Sequence, residues 1–309
     1  MPRQTKQVGL YYTADQLQLA QNNRDTEPIS KAIDYLTHTM GDTPLTIAQL
    51  AGLRYRFLGD EASGLQAIEQ LQHVNPLMTP IDNHETAKIL LAWLNVIESI
   101  RTHPAWIDIQ DSWFDALHAF DHPLYDGSVL DGLWGGALDI GMGIVLEDET
   151  QFSRGTDVYR LAVDQHIHPE GYLKDVVTVA DATDTYQKQV SGTTALVLMA
   201  EMANTVGVDL WSVDNRGITP VTATAYLLYY YYYPEKWKWG GDLTRDTTEA
   251  IMVTDGAFLE IVNHRQAVRG VDILFDELRP LFGATSGGLT TLTHGMPLPP
   301  KKKRWGLFG

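Results

Sequence analysis

The sequence contains no cysteine and carries little positive charge for its length. Across 309 residues, 23 Lys and Arg stand against 39 Asp and Glu, a formal net charge of -16. The lack of cysteine excludes thiol catalysis, disulfides and cysteine-ligated zinc, although it does not identify a compartment. Because so acidic a surface repels phosphate backbones, we expect no nucleic-acid partner. No apolar run reaches about 20 residues, so we expect no membrane partner either.

The two ends of the chain predict little about function. The first ten residues lack the apolar core of a secretory signal, so the protein either stays inside the cell or has lost such a segment. The basic run Lys-Lys-Lys-Arg at 301–304 fits a solvated tail, about 295–309, better than a nuclear import signal. No linker rich in Pro, Gly or Ser divides the chain before residue 280, so we predict a single domain over 1–309.

Apolar residues recur at helical spacing along most of the sequence. Thr13 and Gln16 predict a capping box at the start of the first helix. Pro28 suits the first position of a second helix, which Gly41 ends. Further helices are predicted over 46–58, 61–74, 84–102, 111–119, 130–146, 149–165, 185–206, 220–233, 256–264 and 271–278. Strand signals are sparse, and 176–180 is the one candidate for an extended segment.

About a dozen helices joined by short loops must bury their apolar stripes on one another. This pattern predicts an all-α protein, either a solenoid of helical hairpins or a closed α/α toroid. Two longer irregular segments, 122–129 and 167–183, are rich in His, Asp, Gly, Tyr and Lys. Loops of that length in compact domains are often functional, and we expect ordered binding loops here.

Several segments, taken in order, resemble the alginate-lyase-like superfamily of polysaccharide lyases. They are Leu-Arg-Tyr-Arg-Phe-Leu-Gly-Asp at 53–60, His-Pro-Glu-Gly-Tyr-Leu at 168–173, Ala-Leu-Val-Leu-Met-Ala-Glu-Met-Ala-Asn-Thr-Val-Gly-Val-Asp-Leu-Trp at 195–211, Leu-Arg-Pro at 278–280 and Gly-Gly-Leu-Thr-Thr-Leu at 287–292. The resemblance implies an incomplete α/α toroid of antiparallel helical hairpins with a groove at one end. It also implies β-elimination on a uronate-containing polysaccharide, alginate-like or glucuronan-like, without a cofactor.

That reaction needs a group that neutralises the uronate carboxylate, a base for the C5 proton and an acid for the departing O4. In the family, an Asn-His pair and a later Arg…Tyr-His stretch supply these groups. This chain departs from both motifs. Alignment on the Gly and Trp of Asp-Gly-Leu-Trp (131–134) puts Leu130-Asp131 at the Asn-His position. Counting back from Gly207 puts Lys188-Gln189 at the Tyr-His position, with Tyr186 two residues earlier.

The resemblance and the residue types together predict a site. Tyr186 is the candidate acid, or a shared acid and base, because Lys188 beside it would favour its phenolate. His122 is the candidate base, with an ordinary pKa near neutrality. Lys188, Gln189 and Lys174 are predicted on the carboxylate side. Other candidate substrate contacts are Gln187, His168, Asp131, Trp134 and Arg216.

The dipeptide Asn-His itself occurs twice, outside the aligned position. Asn83-His84 lies one helical pair too early and Asn263-His264 too late, so chance or capping explains both. Asn83 is well placed to cap a helix that begins at His84.

Other interpretations stay open at this point. An α/α-toroid glycoside hydrolase could use Asp126, Asp131, Asp181 or Asp184 as acid and base. A noncatalytic carbohydrate-binding protein of helical repeats is the second alternative. We predict no metal site, since His166 and His168 are two apart and point to opposite sides of an extended segment. A structural calcium held by loop carboxylates would leave little trace in sequence. Oligomeric state and compartment are not predicted.

Overall fold

A computed structural model describes residues 9–74, 81–177 and 180–298. The chain folds into 14 α-helices over this part of its length. They are α1 (Ala14–Asn22), α2 (Ile29–His38), α3 (Pro44–Leu58), α4 (Glu61–His73), α5 (His84–Ile100), α6 (Ile107–His118), α7 (Val129–Leu146), α8 (Glu149–Leu161), α9 (Ala182–Thr205), α10 (Pro220–Tyr232), α11 (Arg245–Asp255), α12 (Phe258–Arg265), α13 (Val271–Leu278) and α14 (Thr290–His294). No strand occurs in these ranges, and three isolated bridges are the only β-type pairs there.

The predicted helix starts are largely confirmed. Thr13 and Gln16 form the expected capping box at α1, and the Asn83 side chain caps α5 by accepting from the Thr86 amide. Two helices escape the sequence patterns, α11 and the single-turn α14. The segment expected to be extended begins instead in a 3₁₀ turn, Lys174–Val176, and residues 178–179 within it lie outside the described ranges.

One helix of each successive hairpin lies in an inner layer, and these inner helices run in the same direction. At one end of α5 and α7 the His84 amide donates to Asp131, and at the other Arg101 donates to the Val145 carbonyl, both at 2.8 Å. Further contacts join α3 to α5 and α7 to α9. The inner helices α5, α7 and α9 are buried almost throughout, whereas α4, α6 and α8 are buried along one stripe. This arrangement is the α/α toroid.

Close packing of α7 against α8 depends on glycine. A Cβ at Gly155 would lie 2.4 Å from the Gly136 carbonyl oxygen, and one at Gly143 would lie 2.6 Å from the Phe152 nitrogen. Both positions therefore require the smallest residue. Among the described helices, α7 alone is long and apolar enough to cross a membrane, and 78% of that stretch is buried inside the fold.

Buried ion pairs hold the last helices against α9. Glu201 of α9 is fully buried and accepts from Arg265 at 2.7 Å, with the His294 ring at 3.2 Å. Arg279 donates to Glu260 through two nitrogens at 2.7 and 2.9 Å. These contacts fix α12 and α14 to α9 of the inner layer. The C-terminal helices are thus held by charge as well as by apolar packing.

Candidate functional site

One end of the toroid holds the N-termini of α5 and α7, with α9 packed alongside α7. The helices begin after Asn83, Ser128 and Asp181, and each of these side chains accepts from a backbone amide of the first turn. The N-termini of α5 and α7 lie side by side and present their positive dipole ends together, whereas α9 begins further along its axis, since its Gly192 is the residue that packs beside Leu130 and Leu133 of α7. This end of the molecule is therefore suited to a negatively charged ligand.

The first turns of α5 and α7 are joined by a histidine–aspartate pair. The His84 Nδ1 lies 2.8 Å from the Asp131 Oδ1, and the His84 Nε2 lies 3.2 Å from the Glu85 Oε1. The other Asp131 oxygen accepts from the Ser128 amide and hydroxyl. The imidazole is 23% exposed and the Asp131 side chain 17%, so solvent reaches a ring that the protein holds in place.

A lysine and a tryptophan lie one turn deeper. Lys88 donates to Glu85 at 2.6 Å, and its ammonium lies 5.4 Å from the centre of the Trp134 ring. The Trp134 indole donates to the Ser191 hydroxyl of α9 at 3.0 Å. Trp134 is almost fully buried. Trp134 therefore packs under Lys88 in the protein interior and links α5, α7 and α9.

A stripe of polar residues lies on the neighbouring helix α9. Asp184, Lys188 and Ser191 follow one another at helical spacing, and Lys188 forms an ion pair with Asp184 at 2.7 Å. Since Ser191 contacts Trp134, this stripe faces α7. Asp255, at the end of α11, feels the charges of Lys88 and Glu85. The cluster at the start of α5 and α7 therefore combines carboxylates, the Lys88 ammonium and one imidazole, and the α9 stripe with Lys188 lies on the side of α9 that packs on α7.

The charged groups shift one another's proton affinity. Burial opposes protonation of His84, but hydrogen bonds with Glu85 and Asp131 outweigh it and raise the pKa of the imidazole. The hydrogen bond with His84 and the contact with Lys88 lower the pKa of Glu85 to about 2. Burial raises the pKa of Asp255. At neutral pH this end of the protein therefore holds an imidazole that is readily charged beside an ionised Glu85.

Tyr186, the predicted acid, lies elsewhere in the fold. Its hydroxyl donates to the Leu227 carbonyl at 3.2 Å, its ring packs against Trp237, and its exposed fraction is 0%. Burial raises its pKa well above the usual value. The expectation that Lys188 favours its phenolate is wrong, because Lys188 pairs with Asp184. The acid role stays a prediction to which this geometry lends no support.

His122, the predicted base, lies beneath the α8 side of the toroid. Its Nε2 is 3.3 Å from Asp139 Oδ1, and Asp139 also accepts from Arg154 at 2.6 and 2.7 Å and from the Tyr125 hydroxyl. The side chains of His122 and Asp139 are 1% and 0% exposed. Although burial opposes ionisation, the hydrogen bonds from His122, Arg154 and Tyr125 lower the pKa of Asp139 to about 2. This network closes around the histidine and leaves it no open edge.

The remaining predicted contacts do not assemble around Tyr186 or His122. Gln189 is buried, and its side-chain amide accepts from the Leu173 amide at 2.8 Å and donates to the Leu173 carbonyl at 2.9 Å. His168 stacks on Tyr172 at 4.3 Å between ring centres. The other three, Gln187, Lys174 and Arg216, are exposed. Of the predicted set, Asp131 and Trp134 lie in the cluster around His84, and Lys188 lies on the same helix as Ser191, which contacts Trp134.

The sequence predicts no chemical role for His84, the residue that the structure adds to this cluster. The capping role expected for Asn83 is confirmed, but it accounts for Asn83 alone. The Asn83-His84 dipeptide was the available signal, and only the fold shows that its helix begins beside Asp131. Within the described ranges, no group of three or more His, Asp or Glu side chains could hold a metal ion.

A separate cavity of about 750 Å³ opens against the outer face of α8. Its lining includes Tyr125, Ser153, Arg154 and Leu161. None of the residues that line it belongs to the cluster around His84. The largest described cavity and the cluster of titratable groups therefore lie on different faces. The cluster around His84 is the candidate active site, because catalysis requires titratable groups close to one another.

Several solved structures with a similar fold are forms of one alginate lyase. Alginate lyase A1-III from Sphingomonas species A1 matches with a TM-score of 0.64 at 17% identity, over 82% of this chain and 76% of that one. Its tyrosine-to-phenylalanine variant complexed with tetrasaccharide matches with a TM-score of 0.64 at 17% identity, over 90% and 82%. A histidine-to-alanine variant complexed with tetrasaccharide gives 0.60 at 16%, over 83% and 76%. The fold is thus the incomplete α/α toroid of these enzymes.

The sequence itself places the chain more narrowly. The alginate lyase family profile matches residues 6–237. The chain therefore belongs to the alginate lyase family. No curated protein matches it significantly.

Proposed function

We propose that this protein is a polysaccharide lyase that cleaves an alginate-like, uronate-containing polymer by β-elimination at the α5–α7 end of the toroid. The observation that carries the proposal is the meeting of His84, Lys88 and Asp131 where α5 and α7 begin, in a chain of the alginate lyase family. Two similar structures contain a tetrasaccharide, which supports a polymeric sugar as the substrate.

The cluster offers the electrostatics that the reaction needs. Removal of the C5 proton places negative charge on the uronate carboxylate as the carbanion develops. The ammonium of Lys188, 36% exposed, and the N-termini of α5 and α7 are suited to balance that charge. Because the protein as a whole carries a net charge of -16, this local positive potential is needed to hold an anionic chain.

The test is to mix the purified protein with alginate, glucuronan and other polyuronates and to follow ultraviolet absorbance. A lyase leaves an unsaturated uronate, which absorbs, whereas a glycoside hydrolase leaves none. We expect rising absorbance with at least one polyuronate. Shortening of the polymer without absorbance would support the hydrolase alternative and contradict this proposal.

A carbohydrate-binding relative without turnover is the second candidate. It is favoured by one observation: Gln189, at the Tyr-His position of the family motif, is buried and bound to the Leu173 backbone. Such a protein would migrate more slowly in an electrophoresis gel that contains the polyuronate, and it would yield neither unsaturated nor shortened products.

A further inference from the structure

The imidazole of His84 is the only histidine ring in the described cluster, and its two nitrogens have different surroundings. Nδ1 faces Asp131 at 2.8 Å, a carboxylate that is itself fixed by the Ser128 amide at 3.0 Å. Nε2 faces Glu85 at 3.2 Å, and the Glu85 side chain is 64% exposed. Nδ1 is held by the fixed Asp131 carboxylate, whereas the exposed Glu85 side chain beside Nε2 can move. A ligand can therefore reach Nε2.

We propose that His84 is the general base of this enzyme, supplied by α5 and oriented by Asp131 of α7. The inference rests on the proposed function and names the residue that performs its central step. A neutral His84 with its proton on Nδ1 donates to Asp131, so Nε2 carries the free electron pair. Asp131 acts through His84 and is a positioning residue.

The elimination balances with this one imidazole. The C5–H bond of the uronate breaks and the proton goes to Nε2. The electron pair left on C5 forms the C4–C5 double bond as the C4–O4 bond breaks. The departing O4 then takes the proton from Nε2, which restores the neutral ring. The products are a chain with an unsaturated uronate at its new end and a chain with a free hydroxyl, and no other reactant is required.

Other candidate bases are less well placed in the structure. The His122 side chain is closed in by Asp139, Arg154 and Tyr125 and is 1% exposed. The Tyr186 hydroxyl is buried and bonded to a backbone carbonyl. His84 combines a partly exposed ring, a carboxylate partner that orients the ring, and the Lys88 ammonium one turn further along the same helix.

The pH response of His84 depends on the charges that face it. These are Glu85 and Lys88 on its own helix and Asp131 on α7, with Asp255 of α11 facing the Lys88–Glu85 pair. The two carboxylates hold the pKa of His84 above its usual value of about 6.5. The basic form exists above that raised pKa, so turnover should rise with pH through a limb that lies on the alkaline side of an ordinary histidine.

The experiment compares three forms of the full chain on the polyuronate that gives the strongest absorbance. His84→Gln keeps the size and hydrogen bonding of the side chain but cannot take up the proton. It should lower kcat at least about 100-fold with KM changed less than about threefold. The matched control, His122→Gln, alters the second histidine–aspartate pair, which is buried, and should retain kcat within about threefold. Circular dichroism and thermal unfolding establish that each variant is folded at the assay temperature.

Asp131→Asn provides a second readout that does not depend on His84→Gln being stable. Loss of the carboxylate charge lowers the pKa of His84, so the rising limb of the kcat profile should move to lower pH. An unchanged limb would contradict the assignment. If the wild-type enzyme is active and His84→Gln keeps kcat within about threefold, the base assignment fails and the proposed function stands. If the wild-type protein yields no unsaturated product from any polyuronate, both fail.

Discussion

The molecule contains two histidine–aspartate pairs with an adjacent cation, and they differ in exposure. His122 and Asp139 lie beneath α8, where Arg154 and Tyr125 complete the bonding of the carboxylate. His84 and Asp131 lie at the start of α5 and α7, with side chains 23% and 17% exposed. The first pair is 1% and 0% exposed.

This difference separates a structural network from a chemical one. The Asp139 carboxylate of α7 is hydrogen-bonded by fixed donors. They come from the segment before α7, which contains His122 and Tyr125, and from Arg154 of α8, so the network joins these three parts of the chain. Around His84, one nitrogen is fixed and the other faces an exposed carboxylate that a ligand can displace. The same two residue types thus stabilise the fold where they are enclosed and are available for proton transfer where one edge is open.

The largest expected effect is on stability, at the enclosed pair. Asp139→Ala leaves His122 and Arg154 without their shared acceptor and should lower the free energy of unfolding by about 3–5 kcal/mol. Urea denaturation measures this loss. Asp157→Ala, on the exposed face of α8 with a side chain 76% exposed, should change stability by no more than about 0.5 kcal/mol. Equal losses in the two variants would contradict the structural role of Asp139.

The same carboxylate should make stability sensitive to acid. Its folded-state pKa of about 2 lies below the unfolded value of about 3.9. Its contribution is therefore complete above the unfolded pKa and is lost as pH falls toward 2, a change of about 2–3 kcal/mol. Unfolding midpoints measured from about pH 5 to about pH 2 should decline more steeply in the wild type than in Asp139→Asn. Parallel profiles would show that another group causes the decline.

At the open pair, a smaller effect is expected from the neighbouring lysine. Lys188→Met removes the exposed ammonium of α9 and should reduce kcat/KM on a polyuronate at least about tenfold, with little change in unfolding. Lys31→Met, on α2, is a suitable control because its ion pair with Glu27 is exposed. A Lys188→Met enzyme with unchanged kcat/KM would remove Lys188 from substrate binding.

The smallest effect is expected at Tyr186. Tyr186→Phe loses one hydrogen bond, to the Leu227 carbonyl, and should cost about 1 kcal/mol of stability while leaving turnover within about twofold. Activity and thermal unfolding measured on the same preparation test this. Abolished activity with unchanged unfolding would restore Tyr186 as the catalytic acid and require a different conformation of α9 and α10.

Helical spacing predicts most of the fold because each helix buries one continuous apolar face. The helix α5 is expected over 84–102 and runs from His84 to Ile100, and the toroid follows from the family resemblance. The helix α11, Arg-Asp-Thr-Thr-Glu-Ala-Ile-Met-Val-Thr-Asp, was missed since its few apolar residues give no clear stripe and only Thr248, Ile251 and Met252 are buried.

The candidate site is harder to predict because its residues come from separate helices. Asp131, Trp134 and Lys188 are found by alignment to the family motifs, which mark α7 and α9. His84 is 47 residues before Asp131, and only the parallel packing of α5 on α7 brings the two side chains to 2.8 Å. Tyr186 and Lys188 are two apart on one helix and therefore point to different sides, so they could not share a site.

The most direct measurement is the product of a polyuronate digest, analysed by ultraviolet absorbance and mass spectrometry for the wild type and His84→Gln side by side. We predict unsaturated oligouronides, each lighter by one water molecule than a hydrolysis product, from the wild type, and about a hundredfold less from the variant. Equal yields of unsaturated product from both proteins would contradict the role given to the His84–Asp131 pair.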